Sequence, residues 1–277
     1  MSDALRTPSA ALGLGLTAAL LGLALFADVI APGDPFASVA PPLSPPSRAH
    51  LMGSDDLGRD LLASVIHGAR TSVVVSLGVT ALAALIGVVV GAVAGYRPGG
   101  VDDLLMRGTE AVQVVPRFFL AVVVIALFGP GLDRVVLVLG LSSWPAIARV
   151  IRAETLSLAR REFVDAARAL GASAPRILMR QVLPNALPAA LVVVSLNAAS
   201  VILLEAGLGF IGLGDPRAVS LGYLANNAQR FLRVAWWMAL FPGAAIALAI
   251  LALNLLGDAL ADLGNPRRLR GGAVAAR

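Results

Sequence analysis

Six apolar stretches, each close to the thickness of a bilayer, leave this chain few ways to fold. A spanning helix needs about 20 mainly apolar residues at about 1.5 Å rise. The approximate limits are Ala10–Ile30, Ser72–Gly95, Leu104–Phe128, Leu132–Ile151, Leu187–Leu213 and Trp236–Leu256. The third is the most interrupted, by Arg107, Glu110, Pro116 and Arg117, with Arg107 and Glu110 spaced to pair at i, i+3. Composition agrees, since 58% of the 277 residues are hydrophobic and only 14% are charged. The expected fold is all-α: a polytopic membrane protein of six transmembrane helices, in one domain spanning 1–277. Within it, an N-terminal anchor covers about 10–30, an external linker 31–71, a core bundle 72–258 and a tail 259–277. The first stretch is too long for a signal-peptide core, and Asp28 follows it without an A-x-A site, so an uncleaved anchor is expected.

Arginine placement sets the orientation. All 22 basic residues are Arg. With both termini inside, 14 fall on the cytoplasmic side, seven of them from Arg149 to Arg180, against 7 outside. The positive-inside bias therefore puts the segment Arg152–Pro184 in the cytoplasm, and Trp236 and Trp237 at the outer interface.

That segment is longer than a connection between two spans requires. Phe163, Ala166, Ala167 and Leu170 recur at i, i+3, i+4 and i+7, the spacing of one helix face. Glu162, Asp165 and Arg168 fall on the opposite face. Gly171 suits a left-handed helix end, Ser173 and Pro175 a new start, and Leu183-Pro184 closes the segment. A cytoplasmic helix-turn-helix between spans four and five is expected, offered to a soluble partner.

Several chemistries are excluded. Without Lys there is no P-loop for ATP, and without Cys there are no disulfides or thiolate sites. His50 and His67, the two histidines, are not spaced to share a metal. The acidic run Gly53–Asp60 lacks calcium-loop spacing, and its expected role is a cap, from Ser54 or Asp55, on a helix leading to the second span. Pro41, Pro42, Pro45 and Pro46 read as extended linker, and Gly87, Gly91 and Gly95 as a close-packing stripe. Glu205 and Asn197 are possible intramembrane polar sites, Glu205 through either structure or a pathway. Asn197 and Asn254 are expected to bond between helices.

Asp165-Ala166-Ala167, three residues, Gly171, then Leu183-Pro184 resembles the E-A-A…G…I-x-L-P loop of ABC importer permeases, with Asp165 in place of Glu and Gln181 in place of Ile. Gly53–Asp60 resembles the G-T-D-x-x-G-R-D signature of the dipeptide, oligopeptide and nickel branch. Glu205–Gly214, Phe241-Pro242-Gly243, Asn254–Asp258 and Pro266-Arg267, with Asn265 before them, are similar to later motifs of its second, shorter permease. The resemblance implies a non-catalytic subunit of an ATP-driven importer for peptides or a similar small solute, in a bacterial inner membrane with both termini cytoplasmic. It also implies a second permease subunit, two cytoplasmic ATPases that bind ATP and magnesium, and an extracytoplasmic solute-binding protein. Glu162, Phe163, Asp165, Ala166, Ala167, Arg168, Leu170, Gly171, Leu183 and Pro184 would form the coupling loop, and no cofactor is expected on this chain. Two alternatives are an ion-coupled secondary transporter and a membrane scaffold that docks a cytoplasmic protein.

Overall fold

A computed structural model describes residues 8–263. The Pro266-Arg267 ending, Asn265 and the terminal arginines of the topology count lie outside the described residues. Within them the chain is helical, with isolated bridges at Ser38–Arg59 and Ser54–Asp60 and no longer strand. The helices are α1 (Pro8–Leu25), α2 (Ala27–Ile30), α3 (Leu61–Tyr96), α4 (Gly100–Val114), α5 (Arg117–Phe128) and α6 (Leu132–Leu158). There follow α7 (Glu162–Ala169), α8 (Ala174–Ile177), α9 (Leu183–Phe210), α10 (Leu221–Ala228) and α11 (Trp237–Leu263).

All six apolar stretches are helical, but they are not six equal spans. Four helices among the described residues are long and apolar enough to cross a membrane, and a fifth if α4 and α5 count as one. Those two meet at 69° across Val115-Pro116. Proline has no N–H to donate and restricts its predecessor, so the helix ends there and restarts. The long helix of the first stretch stops at Leu25 and is shorter than the four spanning helices. Conversely α3 runs 36 residues, about 54 Å, well beyond the expected Ser72–Gly95.

α3 and α6 form the central pair. The stripe of small residues is their seam: a Cβ on Gly87 would lie 2.8 Å from Ile147 Cβ, and one on Gly95 2.6 Å from the Arg152 carbonyl oxygen. At Gly91 the added atom would run into the Ala148 carbonyl oxygen and Ile151. Backbones this close exclude any side chain, which is how helices associate where lipid offers no hydrophobic drive. Gly91→Val should therefore separate the pair, at a cost of at least about 1–3 kcal/mol. A thermal shift of the purified complex in detergent checks this: a variant as stable as the wild type would contradict the seam.

The Pro-rich linker is held by its own polar side chains. Ser54 Oγ donates to the Pro41 carbonyl at 2.6 Å and accepts from Ser44 N at 2.9 Å. Asp55 Oδ1 accepts from the backbone N–H groups of Leu57 at 2.9 Å and Arg59 at 2.8 Å. Burial pushes the Asp55 carboxyl above its ordinary pKa, and these backbone donors oppose that shift. With Ser54 and Asp55 committed to the loop, neither caps the helix. The cap is Asp60, whose carboxylate accepts from Ala63 N at 3.1 Å at the start of α3. The expected cap was thus misplaced, because the residue directly before the helix is the one in reach.

Trp236 is exposed as an interfacial residue would be, but Trp237 is buried among Leu61, Val65 and Leu221 and donates Nε1–H to the Ser54 carbonyl at 3.1 Å. One of the two expected belt residues is therefore a core residue that ties α11 to the linker. In the loop after α9, Asp215 accepts from Leu132 N at the start of α6 and pairs with Arg217 at 3.1 Å. The Arg217 guanidinium beside it holds the Asp215 carboxyl below the usual carboxylate value.

A projecting helix pair and a polar interior as the candidate functional site

The polar interlude after α6 folds into α7 and α8, and its two faces part company. Val164 and Ala167, at i, i+3, are buried against Ile177 and Val182, with Tyr96 and Leu158 at the edge. This cluster fastens the pair to the ends of α3 and α6. Phe163, Ala166 and Leu170 lie off that face and are exposed, Leu170 at 88% and Phe163 at 42%. Expectation and structure differ here: the apolar set is split, with Ala167 inward beside Val164 and the other three outward. Alanine is small enough to sit in the anchor, whereas Val164 was invisible as part of the i, i+3, i+4 pattern.

The polar members fall as the spacing suggests. Glu162 and Asp165 occupy the first turn of α7, where carboxylates suit the helix dipole, and both are exposed. Arg168 pairs with Asp165 at 2.9 Å, and both side chains are solvated enough for the pair to contribute little. Gly171 ends the helix with φ +78°. Ala172 N donates to the Ala167 carbonyl at 3.1 Å and Gly171 N to the Arg168 carbonyl at 2.9 Å, the two bonds of a Schellman ending. A Cβ at Gly171 would meet nothing within 4 Å, so glycine is needed for its backbone angle and not for space.

Leu183 and Pro184 do not close the segment. A π-turn, Leu178–Val182, carries α8 directly into α9, so that Ala174–Phe210 is one continuous apolar helix. Leu183 N donates to the Leu178 carbonyl, and Pro184, with no N–H to donate, follows the π-turn directly inside this continuous helix. Leu183 is half-buried and Pro184 exposed. α8 therefore joins α9 without a loop, while α7, set off by the Gly171 turn, packs on Ile177 and Val182 through Val164 and Ala167.

Polar groups also gather inside the bundle. Asn197, near the middle of α9, accepts from Arg117 Nη1 at 3.3 Å and faces Thr80 Oγ1 at 3.5 Å. Arg117 Nη1 reaches Ser143 Oγ at 3.2 Å as well. Glu205, nearer the C-terminal end of α9, is buried and accepts from Ser72 Oγ at 2.7 Å, with Ser220 also bonded to it. Asn254 shows no interhelical hydrogen bond to the described residues. Arg107 and Glu110 are both exposed and do not pair, so the short-range match in sequence was not used.

A stronger pair was missed. Arg152 of α6 grips Asp102 of α4 with Nε and Nη2, each 2.5 Å from a carboxylate oxygen. Asp102 is buried, and fifty positions separate the two. The signal available was an acid in the first turn of an apolar helix and an arginine inside another, which only the tertiary fold brings together.

Comparison with known proteins places this arrangement. Residues 87–270 match the family described as binding-protein-dependent transport system inner membrane component. A protein of Brucella suis named as a peptide transport system permease is 40% identical over 266 residues, covering 95% of this chain and 89% of its own length. The di/tripeptide transport system permease protein of Pseudomonas aeruginosa is 37% identical over 252 residues, covering 88% and 83%. An inward-facing structure of the MetNI methionine ABC transporter superposes with a TM-score of 0.61, at 18% identity, over 72% of this chain and 94% of that one. At that identity the likeness is one of fold. A matching family over most of the bundle, and relatives alike over nearly the whole length, make this chain a member of the binding-protein-dependent transport family, an inner membrane component of an ABC importer.

Proposed function

We propose that the chain is the non-catalytic transmembrane subunit of an ATP-driven importer that brings peptides or similar small solutes into the cell. A second permease subunit would complete the pathway, two cytoplasmic ATPases would bind ATP and magnesium, and an extracytoplasmic protein would deliver the solute. Both termini and the α7–α8 pair lie in the cytoplasm in this reading, as the arginine bias favours. One observation carries it: α7 is anchored through Val164 and Ala167, while Phe163, Ala166 and Leu170 face outward and stay exposed. Exposed large apolar side chains on a firmly seated short helix suit a groove on a partner. Closure of the ATPases would push α7, and its packing on Ile177 and Val182 would pass the displacement to the continuous helix that runs into α9. The names of the relatives favour a peptide as solute.

Energy source separates this reading from an ion-coupled carrier. In vesicles holding the whole complex, uptake of radiolabelled Ala-Ala should vanish when the partner ATPases cannot hydrolyse ATP. It should persist when a protonophore collapses the proton gradient in the presence of ATP. The opposite pattern would make the chain a secondary transporter, and binding of the ATPases with no uptake at all would make it a scaffold.

A further inference from the structure

We propose that the cleft at the break between α4 and α5 is a carboxylate-binding station for a solute in transit, with Arg117 as its principal donor. The proposal rests on the importer reading and names the solute group that this part of the chain would hold.

The position is the first observation. Thr80, Ser143 and Asn197 stand near the midpoints of α3, α6 and α9, and the bend at Val115-Pro116 falls at the same level, since Arg117 bonds to both Ser143 and Asn197. An interruption of helix at membrane depth frees backbone groups, and such irregular chain is tolerated where it is enclosed or lines a watery cavity. A cleft of about 300 Å³ opens at this point, lined by Gln113, Pro116, Arg117, Ser142, Ser143 and Ala146. That is room for one end of a small molecule and not for a whole peptide.

Charge is the second, independent observation. The cleft wall carries Arg117 and no acid. Arg149 stands at its edge, donating to Gln113 Oε1. Several other arginines meet carboxylates, Arg70 with Asp28, Arg152 with Asp102 and Arg217 with Asp215, while Arg134 donates to the Gly129 and Pro130 carbonyls just before α6. Arg117 and Arg149 have neutral partners, a hydroxyl and two amide oxygens, and no carboxylate among the described residues. A guanidinium at this depth is costly unless something anionic compensates it.

Geometry decides which anion. Ser143 and Asn197 both take Nη1 of Arg117, so they orient the guanidinium and leave its Nε and Nη2 hydrogens without an acceptor among the described residues. Two parallel N–H groups are the fork that a carboxylate accepts bidentately. Arg117 is also the first residue of α5, so the freed N–H groups of that helix add positive potential at the same place. A solute with a free carboxylate, such as the C-terminus of a short peptide, would be held there briefly. Neutral hydroxyl and amide neighbours would let it leave, as conduction requires.

The chain contains no cysteine, so Ala146→Cys places a unique thiol on the cleft wall. In the assembled complex, the thiol is modified by an anionic methanethiosulfonate (sulfonatoethyl) or a cationic one (trimethylammonioethyl), read on this chain's own band. The anionic-to-cationic rate ratio should fall about tenfold when Arg117→Gln is added, equivalent to about 1.4 kcal/mol. Arg117→Lys should keep the ratio, because the charge remains. Ala-Ala should slow modification in the protein that retains Arg117, and its C-terminal amide should not. Arg117→Lys should abolish that protection because the fork is gone. A ratio indifferent to Arg117→Gln, or equal protection by the amide, would overturn the proposal. Ala-Ala uptake measured on the same vesicles keeps the two readings apart. Uptake without an Arg117-dependent ratio keeps the importer and rejects the station, and the reverse keeps an anion site and rejects the importer.

Discussion

Leu170→Asp should reduce ATP-driven uptake of Ala-Ala about 30-fold while leaving the protein folded and inserted. The side chain is 88% exposed, so its replacement falls within the ordinary range of surface changes, about 0.5 kcal/mol either way. If Leu170 is instead buried in a partner's groove, a carboxylate there loses the apolar contact and is desolvated without a partner. A central apolar anchor at an interface is worth about 2 kcal/mol or more, which is the 30-fold. The measurement needs two readouts: uptake by vesicles, and retention of the ATPases when the complex is purified through this chain. Phe163→Asp should behave alike. Val164→Asp should differ, because Val164 is fully buried in the anchor and its loss would unseat α7 itself. Full uptake by Leu170→Asp would mean that this face touches nothing.

Arg152→Met should cost about 3 kcal/mol of stability, the second large effect. The substitution leaves Asp102 buried with its carboxylate unpaired, and breaking such a pair from one side is the expensive case. Arg152 is one-third exposed, so the cost belongs at the lower end of the range for buried pairs. Removing both charges, as Asp102→Leu with Arg152→Met, should recover most of the loss, since the penalty comes from the orphaned charge more than from the missing attraction. Thermal unfolding of the complex in detergent compares the three. Asp102 starts α4 and Arg152 lies toward the end of α6, just before the projecting pair. The single variant should therefore also quicken proteolysis between Leu158 and Ala174. Equal stability of single variant and wild type would show that the pair is incidental.

Features that depend on local spacing were legible in the sequence. The apolar runs gave the helices, the i, i+4 glycines gave the α3–α6 seam, and Gly171 gave the end of α7. Pro116 was visible as an interruption, but its consequence, a 69° bend framing a cleft, depends on what α6 and α9 place beside it. The helical segment after α6 was legible while its inward face was misassigned. Val164 and Ala167 form the anchor because α8 folds back over them, and periodicity alone does not say which of two apolar faces is covered. Likewise, hydropathy could not distinguish Trp237 from Trp236, since burial of the first depends on a carbonyl of Ser54 far away in sequence. The Asp102–Arg152 pair and the Arg117–Ser143–Asn197 group were illegible for the same reason. Their members lie on different helices, and local patterns carry no long-range pairing.

The most direct measurement uses the absence of cysteine in this chain. Phe163→Cys puts a single thiol on the outward face of α7, and a short thiol-to-amine cross-linker is applied to the purified complex. The account predicts a covalent adduct whose partner peptides, read by mass spectrometry, come from the nucleotide-hydrolysing subunit. It also predicts that a membrane-impermeant thiol reagent added outside intact cells leaves the introduced thiol unmodified. Rapid labelling from the outside, or adducts formed only with the solute-binding protein, would contradict it.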